Sequence, residues 1–350
     1  FSADLTLPHS IWTHLPASTA KLCAPAARQP DMAILLPRHL AEAGRVVTTG
    51  TGIERSYCDF NGDSFLGSRS GAKASADFIY LGPVLDRGAT VRDLCEVNRI
   101  EPIAPGGGYR VHFTDLASGR LEQVQARNVV LAAGTMNTLR LLFAGSRSSG
   151  GLAPMPALGR TFGANCDLMG AWMRKRGAWS SFSSTPSLGA FAVSGIEGPE
   201  FGVGGFPGLD TLPLPGFLKR RLARWLFIYG MGVDSGKASA SFDHNRLRVN
   251  YDESQEPLFR DIRRAFGLLQ SESGEPVRII PRPFTVHQWG GACLGPDPQH
   301  GVVDHRGEVY GNPGLYITDG AALPAAVAAP PSVTIAAWAH HVADGLAKPG

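Results

Sequence analysis

"NVVLAAGTMNTLRLLFAG", residues 128–145, is the stretch of sequence that decides the fold. It opens with an apolar run of the kind that forms a strand covered on both faces. Gly134 and Thr135 then mark a turn, and from about Asn137 the apolar residues recur at helical spacing. The stretch therefore predicts a strand, a tight turn and a helix, as in an α/β domain. Backbone N–H groups at the start of such a helix can face an anionic ligand.

The segments on either side predict further strands and helices. Upstream, the pattern indicates a strand from about 90 to 103, followed by two alternating segments. The middle of the chain, 166–285, has Gly-, Ser- and Pro-rich connections around a hairpin that turns at 243–245 and an amphipathic helix that begins near Pro257. We therefore expect a sheet-plus-helix module inserted between two parts of another domain, with a final helix after Pro331.

The composition indicates a packed globular protein. Of the 350 residues, 43% are hydrophobic and 18% are charged, and the net charge is only +3. No long basic run suggests a nucleic-acid partner. No apolar segment reaches the roughly 18 to 20 residues of a membrane span, so we expect a soluble protein, cytoplasmic or exported. The five cysteines are far apart and odd in number, which argues against a disulfide framework and a zinc knuckle.

Signatures of three other kinds of site are present only in part. "GRVVTTGTG" (44–52) lacks the third glycine and the helix of a dinucleotide fingerprint, and "GVGGFPG" (202–208) is more typical of a loop. The segment 67–71, Gly-Ser-Arg-Ser-Gly, does not provide the elbow of a hydrolase nucleophile. His287 has no partner at metal-ligand spacing, and two adjacent histidines in the last helix point to different sides of it, so we predict no metal site.

A basic segment, "LPGFLKRRLARWLFIYG" (214–230), sets four basic residues against apolar ones. One interpretation is a helix that lies on a membrane surface. The interpretation that we favour is a partly buried helix whose basic face is in solvent.

The order of motifs in the C-terminal third is more specific. His287 opens "HQWGGACLG", a turn follows at 301–304, "GNPGLYITDGAALP" (311–324) comes next, and Pro331 begins a helix. This order resembles the glucose–methanol–choline (GMC) family of flavoprotein oxidoreductases, and most closely its cholesterol-oxidase-like branch. Upstream, "GAKASADFIYLGPVLDRGATVRDLCEVNRI" (71–100) and the strand, turn and helix quoted first also resemble that family.

The resemblance covers about residues 57–347 and implies a fold class. It implies an α/β (α+β) protein with a Rossmann-like FAD/NAD(P)-binding domain, incomplete at its N-terminus, and an inserted antiparallel-sheet substrate domain. In that division, residues 57–165 and 286–350 belong to the FAD-binding domain. Residues 166–285 form the substrate domain, and 1–56 belong to a substrate-domain or lid region.

The resemblance also implies an activity, the FAD-dependent oxidation of an alcohol. The expected substrate is a sterol or another hydrophobic alcohol, and the expected electron acceptor is oxygen or another carrier. A hydride would pass to flavin N5 while His287 accepts the hydroxyl proton, a step that suits an imidazole near neutral pH. The residues that the resemblance places at the cofactor are Val97 near the adenine, Asp319 and Gly320 near the ribityl and diphosphate portion, and Gly134, Pro331 and Ser332. The positive end of the helix that Pro331 begins would face the anionic reduced flavin.

The chain departs from this branch at several positions. Its cysteine-rich cluster is replaced by Asn61, Ser64 and Ser68. Pro330 stands where the branch has an asparagine whose side chain contacts substrate or flavin. The second acidic group of cholesterol oxidases aligns near Val203. These departures leave His287 as the one predicted acid–base group.

The largest departure concerns the family's Gly-x-Gly-x-x-Gly βαβ unit, which holds the ADP half of FAD. It should precede all of these motifs, and the 350 residues do not contain it. Because the sequence begins with Phe1, we expect the natural protein to be longer at its N-terminus. The alternative is a truncated or inactive homologue that acts as a binding module without redox activity.

Overall fold

The computed structural model describes residues 17–23, 33–49, 52–60, 68, 70–103, 106–175, 189–205 and 212–347. Phe1, Asn61, Ser64 and parts of the segments 44–52, 67–71 and 202–208 lie outside the described residues.

The described residues form six α-helices: α1 (Ala17–Cys23), α2 (Gly82–Leu85), α3 (Thr135–Arg147), α4 (Gly216–Leu222), α5 (Pro257–Ser273) and α6 (Ser332–Ala347). They also form sixteen strands: β1 (Val46–Thr48), β2 (Glu54–Ser56), β3 (Cys95–Pro102), β4 (Tyr109–Asp115), β5 (Arg120–Ala126), β6 (Val129–Leu131), β7 (Phe162–Gly163), β8 (Leu168–Met173), β9 (Gly189–Phe191), β10 (Glu200–Gly204), β11 (Trp225–Met231), β12 (Ser239–Asp243), β13 (Arg246–Asn250), β14 (Val277–Ile279), β15 (Trp289–Gly290) and β16 (Leu315–Ile317). A π-helical turn leads into α2, and short 3₁₀ turns are found at Leu40–Glu42, Glu253–Gln255 and Gly320–Ala322.

The chain folds into two compact units. The first comprises Phe1–Val91, Leu168–Gly230 and Arg260–Pro283, and the second comprises Arg92–Asp167, Met231–Phe259 and Phe284–Gly350. The chain enters each unit more than once, so residues that are distant in the sequence share a core.

The second unit is built around strand β6, the turn at Gly134 and helix α3. Strand β6 pairs in parallel with β16, and Leu139, Leu142 and Leu315 are fully buried in the same core. Helix α3 begins at Thr135, slightly earlier than the pattern predicted, because the positive φ of Gly134 (78°) turns the chain immediately before it. The predicted α/β arrangement is thus confirmed in this unit.

Two antiparallel elements complete the second unit. Strands β3, β4 and β5 form a sheet in that order, and β3 begins at Cys95, later than the sequence predicted. Strands β12 and β13 form the predicted hairpin. Its turn residues His244 and Asn245 both have positive φ (46° and 58°), as a two-residue type I′ turn requires.

The first unit contains a five-stranded sheet with the order β14-β8-β11-β10-β9. Its paired strands are antiparallel in every described register. Helix α5 buries Ile262, Phe266 and Leu269, and the ring of Phe266 lies 5.9 Å from that of Phe201 on β10. An antiparallel sheet packed with the predicted amphipathic helix is present, but the hairpin of β12 and β13, expected in the same module, lies in the second unit.

The prediction of one helix across 214–230 is wrong. Helix α4 ends at Leu222 and strand β11 begins at Trp225. Leu226 and Ile228 are fully buried while their neighbours are partly exposed, which is the alternation of a strand. Aromatic and β-branched residues favour that conformation.

A buried ion pair ties β8 to the residues before β14 in the first unit. Arg174 Nε lies 2.8 Å from Glu275 Oε2, and the two side chains are only 4% and 6% exposed. The backbone N–H of Lys175 donates to Glu275 Oε1 at 2.8 Å, and the Arg174 guanidinium lies 4.9 Å from the ring centroid of Trp172. Removing the charge of Glu275 would take this buried counter-charge away from Arg174.

We expect Glu275→Gln to lower the free energy of unfolding by about 3–5 kcal/mol, because a buried counter-charge of Arg174 is lost in a site with little water. Urea denaturation measures the change. The matched control is Glu122→Gln, which breaks the exposed pair with Arg92 (3.0 Å) and should cost less than about 1 kcal/mol. Equal losses in the two variants would contradict this assignment.

Candidate functional site

His287 lies in the loop between β14 and β15, beside a buried carboxylate. Its Nδ1 atom is 2.7 Å from Oδ2 of Asp167, and the two side chains are 15% and 2% exposed. The ring N–H is close to the carboxylate but not aligned with it as in a hydrogen bond, which is common for catalytic groups before substrate binds. Sequence reasoning missed Asp167 because no local spacing connects two residues so far apart in the chain. The structure places Asp167 beside His287, the residue for which the sequence predicted an acid–base role.

Thr285 connects the two residues of this pair. Its hydroxyl donates to Asp167 Oδ2 at 2.7 Å and accepts from the backbone N–H of His287 at 2.8 Å. One hydroxyl therefore fixes both the carboxylate and the backbone that carries the imidazole. The other oxygen, Asp167 Oδ1, is buried and has no hydrogen-bond donor among the described residues.

A strained turn places Asp167. The two preceding residues, Asn165 and Cys166, both adopt left-handed backbone conformations, with φ of 54° and 50°. Such residues cost about 1–3 kcal/mol each and persist only where the surroundings hold them. Here the Asn165 side-chain amide donates to the carbonyl of Ala329 at 3.1 Å, and Cys166 Sγ lies 3.4 Å from the hydroxyl of Tyr251. The turn is thus held at both residues.

Asp234 binds the segments that lead to Asp167 and away from His287. Its Oδ2 accepts from the backbone N–H of Ala164 at 2.6 Å and from the hydroxyl of Tyr251 at 3.2 Å, and its Oδ1 accepts from Trp289 Nε1 at 3.0 Å. Burial raises the pKa of the Asp234 carboxyl, and these three hydrogen bonds oppose the rise. Ala164, close before Asp167 in the chain, and Trp289, close after His287, are therefore hydrogen-bonded to the same carboxylate.

Asp319 lies at the N-terminal end of α3. Its carboxylate accepts from the hydroxyl of Thr138 and from the backbone N–H of Ala321 at 2.9 Å. Burial raises the pKa of Asp319, and hydrogen bonds that include the backbone at Gly134 oppose this. The structure therefore brings the predicted residues Gly134 and Asp319 together. It also places a protein carboxylate at the helix end where the sequence suggested an anionic ligand.

Gly320 is required by a close approach. A Cβ atom there would lie 2.7 Å from Thr135 Oγ1 and 3.0 Å from the carbonyl oxygen of Gln288. Thr135 Oγ1 donates to that same carbonyl at 2.7 Å. Because Gln288 follows His287, this contact connects the start of α3 and Gly320 to the loop that carries the imidazole.

The remaining predicted residues lie at the start of α6 and in β3. Pro331 precedes the helix and its carbonyl accepts from the N–H of Ile335 at 2.9 Å, while Ser332 is exposed. The carbonyl of Val97 accepts from Arg140 of α3 at 3.1 Å. Within the described part of the chain, none of Val97, Pro331 and Ser332 is hydrogen-bonded to His287.

No group of three or more His, Cys, Asp or Glu side chains in the described ranges is arranged to hold a metal ion. No described helix has the length and apolar character needed to cross a membrane.

Comparisons with known sequences identify two matches to the GMC oxidoreductase family. One family model matches residues 43–165 and another matches 275–339, together more than half of the chain. A cholesterol oxidase from Mycobacterium tuberculosis is 51% identical over 62 residues, which are 18% of this chain and 11% of that protein. A long-chain-alcohol oxidase from Arabidopsis thaliana is 35% identical over 63 residues, 18% of this chain and 8% of that protein. The matched segments thus span about a tenth of the length of these curated relatives.

Solved structures extend the likeness over most of the chain. Pyridoxine 4-oxidase from Mesorbium loti covers 95% of this chain and is itself covered over 71%, with a TM-score of 0.60 and 17% identity. An FAD-dependent oxidoreductase from Chaetomium thermophilum covers 80% of this chain and is covered over 64%, with a TM-score of 0.56 and 14% identity. At these identities the likeness shows a shared fold, which confirms the predicted fold class.

The raised pKa of Asp234 gives a stability prediction with a definite sign. A carboxyl whose pKa is raised on folding contributes most below its ordinary value of 3.8, and that contribution is lost as the pH rises through the folded value. We therefore expect the free energy of unfolding of the wild type to fall, relative to that of Asp234→Asn, as the pH rises above about 4. Urea denaturation of both proteins across the pH range measures this difference. Parallel curves would contradict the assignment.

Proposed function

Because this chain belongs to the GMC oxidoreductase family, we propose that it takes part in the FAD-dependent oxidation of an alcohol to a carbonyl compound. The observation that carries the proposal is the 2.7 Å contact between His287 and the buried carboxylate of Asp167. Relatives named for cholesterol and for long-chain alcohols support a hydrophobic alcohol as the substrate.

The proposed role of His287 is to accept the hydroxyl proton of the substrate. Oxidation of an alcohol removes a hydride from the carbinol carbon and a proton from the hydroxyl group, and a positioned imidazole suits the second task. A neutral imidazole has one protonated nitrogen and one acceptor. With Nδ1 beside Asp167, the favoured form has its proton on Nδ1, and Nε2 remains free to act as the base. The carboxylate also stabilises the imidazolium that results from proton transfer.

Asp167 is proposed to supply the acidic group that this chain lacks at the position where cholesterol oxidases have one. Val203 provides no acid, and Pro330 provides no side-chain amide. Asp167 supplies a carboxylate from another segment, and Asn165 brings an amide next to Ala329. His287 is therefore proposed to act with a partner.

When bound, FAD supplies the acceptor of the hydride. The residues present fit such a group in two respects. The first three N–H groups of α6 have no partner within the helix, and Ser332 and Val333 are exposed, so this end can stabilise negative charge. The Oδ1 atom of Asn165 is a buried acceptor for which the described residues offer no donor. We propose that the cofactor is held by the residues at this end of α6 and around α3: Val97, Gly134, Asp319, Gly320, Pro331 and Ser332.

We expect His287→Gln to lower turnover of a hydrophobic alcohol by at least about 10²-fold. The substitution removes the base but keeps a polar side chain of similar size. Steady-state kinetics measure the turnover, and the visible absorbance of the purified protein measures its FAD content, which should not change. The matched control is His305→Gln, which alters an exposed histidine of the same unit.

Two results would contradict the proposal at different levels. Equal turnover in His287→Gln and the wild type would remove His287 as the proton acceptor. A wild-type protein that neither retains added FAD nor oxidises any alcohol would overturn the proposed activity and favour a binding module without redox activity.

We expect Asp167→Asn to move the proton of the neutral His287 imidazole from Nδ1 to Nε2, because the amide can donate to Nδ1 where the carboxylate could only accept. Nitrogen-15 NMR of the histidine ring distinguishes the two forms without any substrate. Turnover should fall by at least about 10²-fold, since the base is then blocked. Thr285→Ser, which keeps the bridging hydroxyl, should retain both the wild-type spectrum and most of the activity. An unchanged spectrum in Asp167→Asn would contradict this role.

A further inference from the structure

One surface segment has no role in the proposed reaction. It runs from Leu212 to Trp225 in the first unit and includes α4. It contains no acidic residue and four basic ones, Lys219, Arg220, Arg221 and Arg224. This is a dense concentration of one charge in a chain whose net charge is only +3.

The same segment exposes large apolar side chains. Phe217 is 64% exposed, Leu212 is 41% exposed and Leu218 is 36% exposed, and no residue of α4 is buried. The favoured sequence interpretation of a partly buried helix therefore does not account for these side chains. The next element, β11, is anchored in the sheet by Leu226 and Ile228. Exposed apolar side chains of this kind, in a segment that leads into an anchored strand, are typical of an interaction surface.

We propose that the segment Leu212–Trp225 docks onto an anionic lipid surface. Phe217, Leu212 and Leu218 would enter the boundary between headgroups and acyl chains, and the basic side chains would contact the negative headgroups. An anionic lipid surface provides partners for both the basic and the exposed apolar side chains.

The other partners considered do not match both the basic and the apolar side chains. A second copy of the chain would bring the same basic residues together, so like charges would oppose the contact. A nucleic acid would contact the cations through its phosphates and leave the apolar side chains in water. The charge and the exposed apolar groups together favour the lipid surface, and the inference is independent of His287 and of FAD.

The experiment is co-sedimentation of the full chain with vesicles of phosphatidylcholine and phosphatidylserine, compared with vesicles of phosphatidylcholine alone. We expect partition to the anionic vesicles and little to the neutral ones. Each cation near such a surface contributes about fivefold, so Arg220→Glu with Arg221→Glu should weaken partition at least about twentyfold. Phe217→Ser should weaken it about tenfold, because an apolar group no longer enters the boundary.

Matched controls lie on exposed strands of the second unit. Arg246→Glu with Arg248→Glu on β13 makes the same change in net charge, and Leu121→Ser on β5 removes an 81% exposed apolar side chain. Both should keep wild-type partition. The proposal is overturned if the wild type does not bind anionic vesicles or if the controls weaken binding equally. It is also overturned if Phe217→Ser binds as the wild type does while RNA displaces the protein, since the segment would then recognise a polyanion.

Discussion

Asp234 accepts hydrogen bonds from three separate segments of the second unit: the backbone N–H of Ala164, the indole of Trp289 and the hydroxyl of Tyr251. Ala164 begins the left-handed turn that ends at Asp167, and Trp289 follows closely after His287. One buried carboxylate therefore holds together the backbone near Asp167 and the backbone near His287. The cost of burying it is offset by the hydrogen bonds that it accepts, which also determine how the segments meet.

Close packing reinforces this constraint. Strand β7 pairs with β15, and a Cβ atom at Gly163 would lie only 2.3 Å from the indole of Trp289. The indole can reach Asp234 only because glycine leaves room for it. The candidate site thus depends on this close packing and on the buried carboxylate of Asp234, whose hydrogen bonds in the described residues come from Ala164, Tyr251 and Trp289.

The sequence predicted the parts of the fold whose causes are local. Gly134 between a strand and a helix, and the hairpin turn at 243–245, follow from residue type and short-range spacing. The pairing of Asp167 with His287 could not be predicted in this way, because it depends on two consecutive left-handed residues and on a threonine from a distant segment. The helix predicted across 214–230 failed for another reason. The residues Trp, Leu, Phe, Ile and Tyr of this run are all apolar. The alternation of buried and partly exposed positions is therefore not visible in the residue types, and the two-residue period of a strand cannot be recognised.

Cys166 gives the strained turn a chemical consequence. Its side chain is fully buried, and burial raises the pKa of its thiol to about 12. Because the thiolate is the reactive form, alkylating reagents cannot modify this cysteine while the turn keeps its structure. Modification requires a local opening of this turn, of which Asp167 is the next residue. The alkylation rate of Cys166, assigned by mass spectrometry, therefore reports how often the turn beside Asp167 opens, through a probe that the sequence already contains.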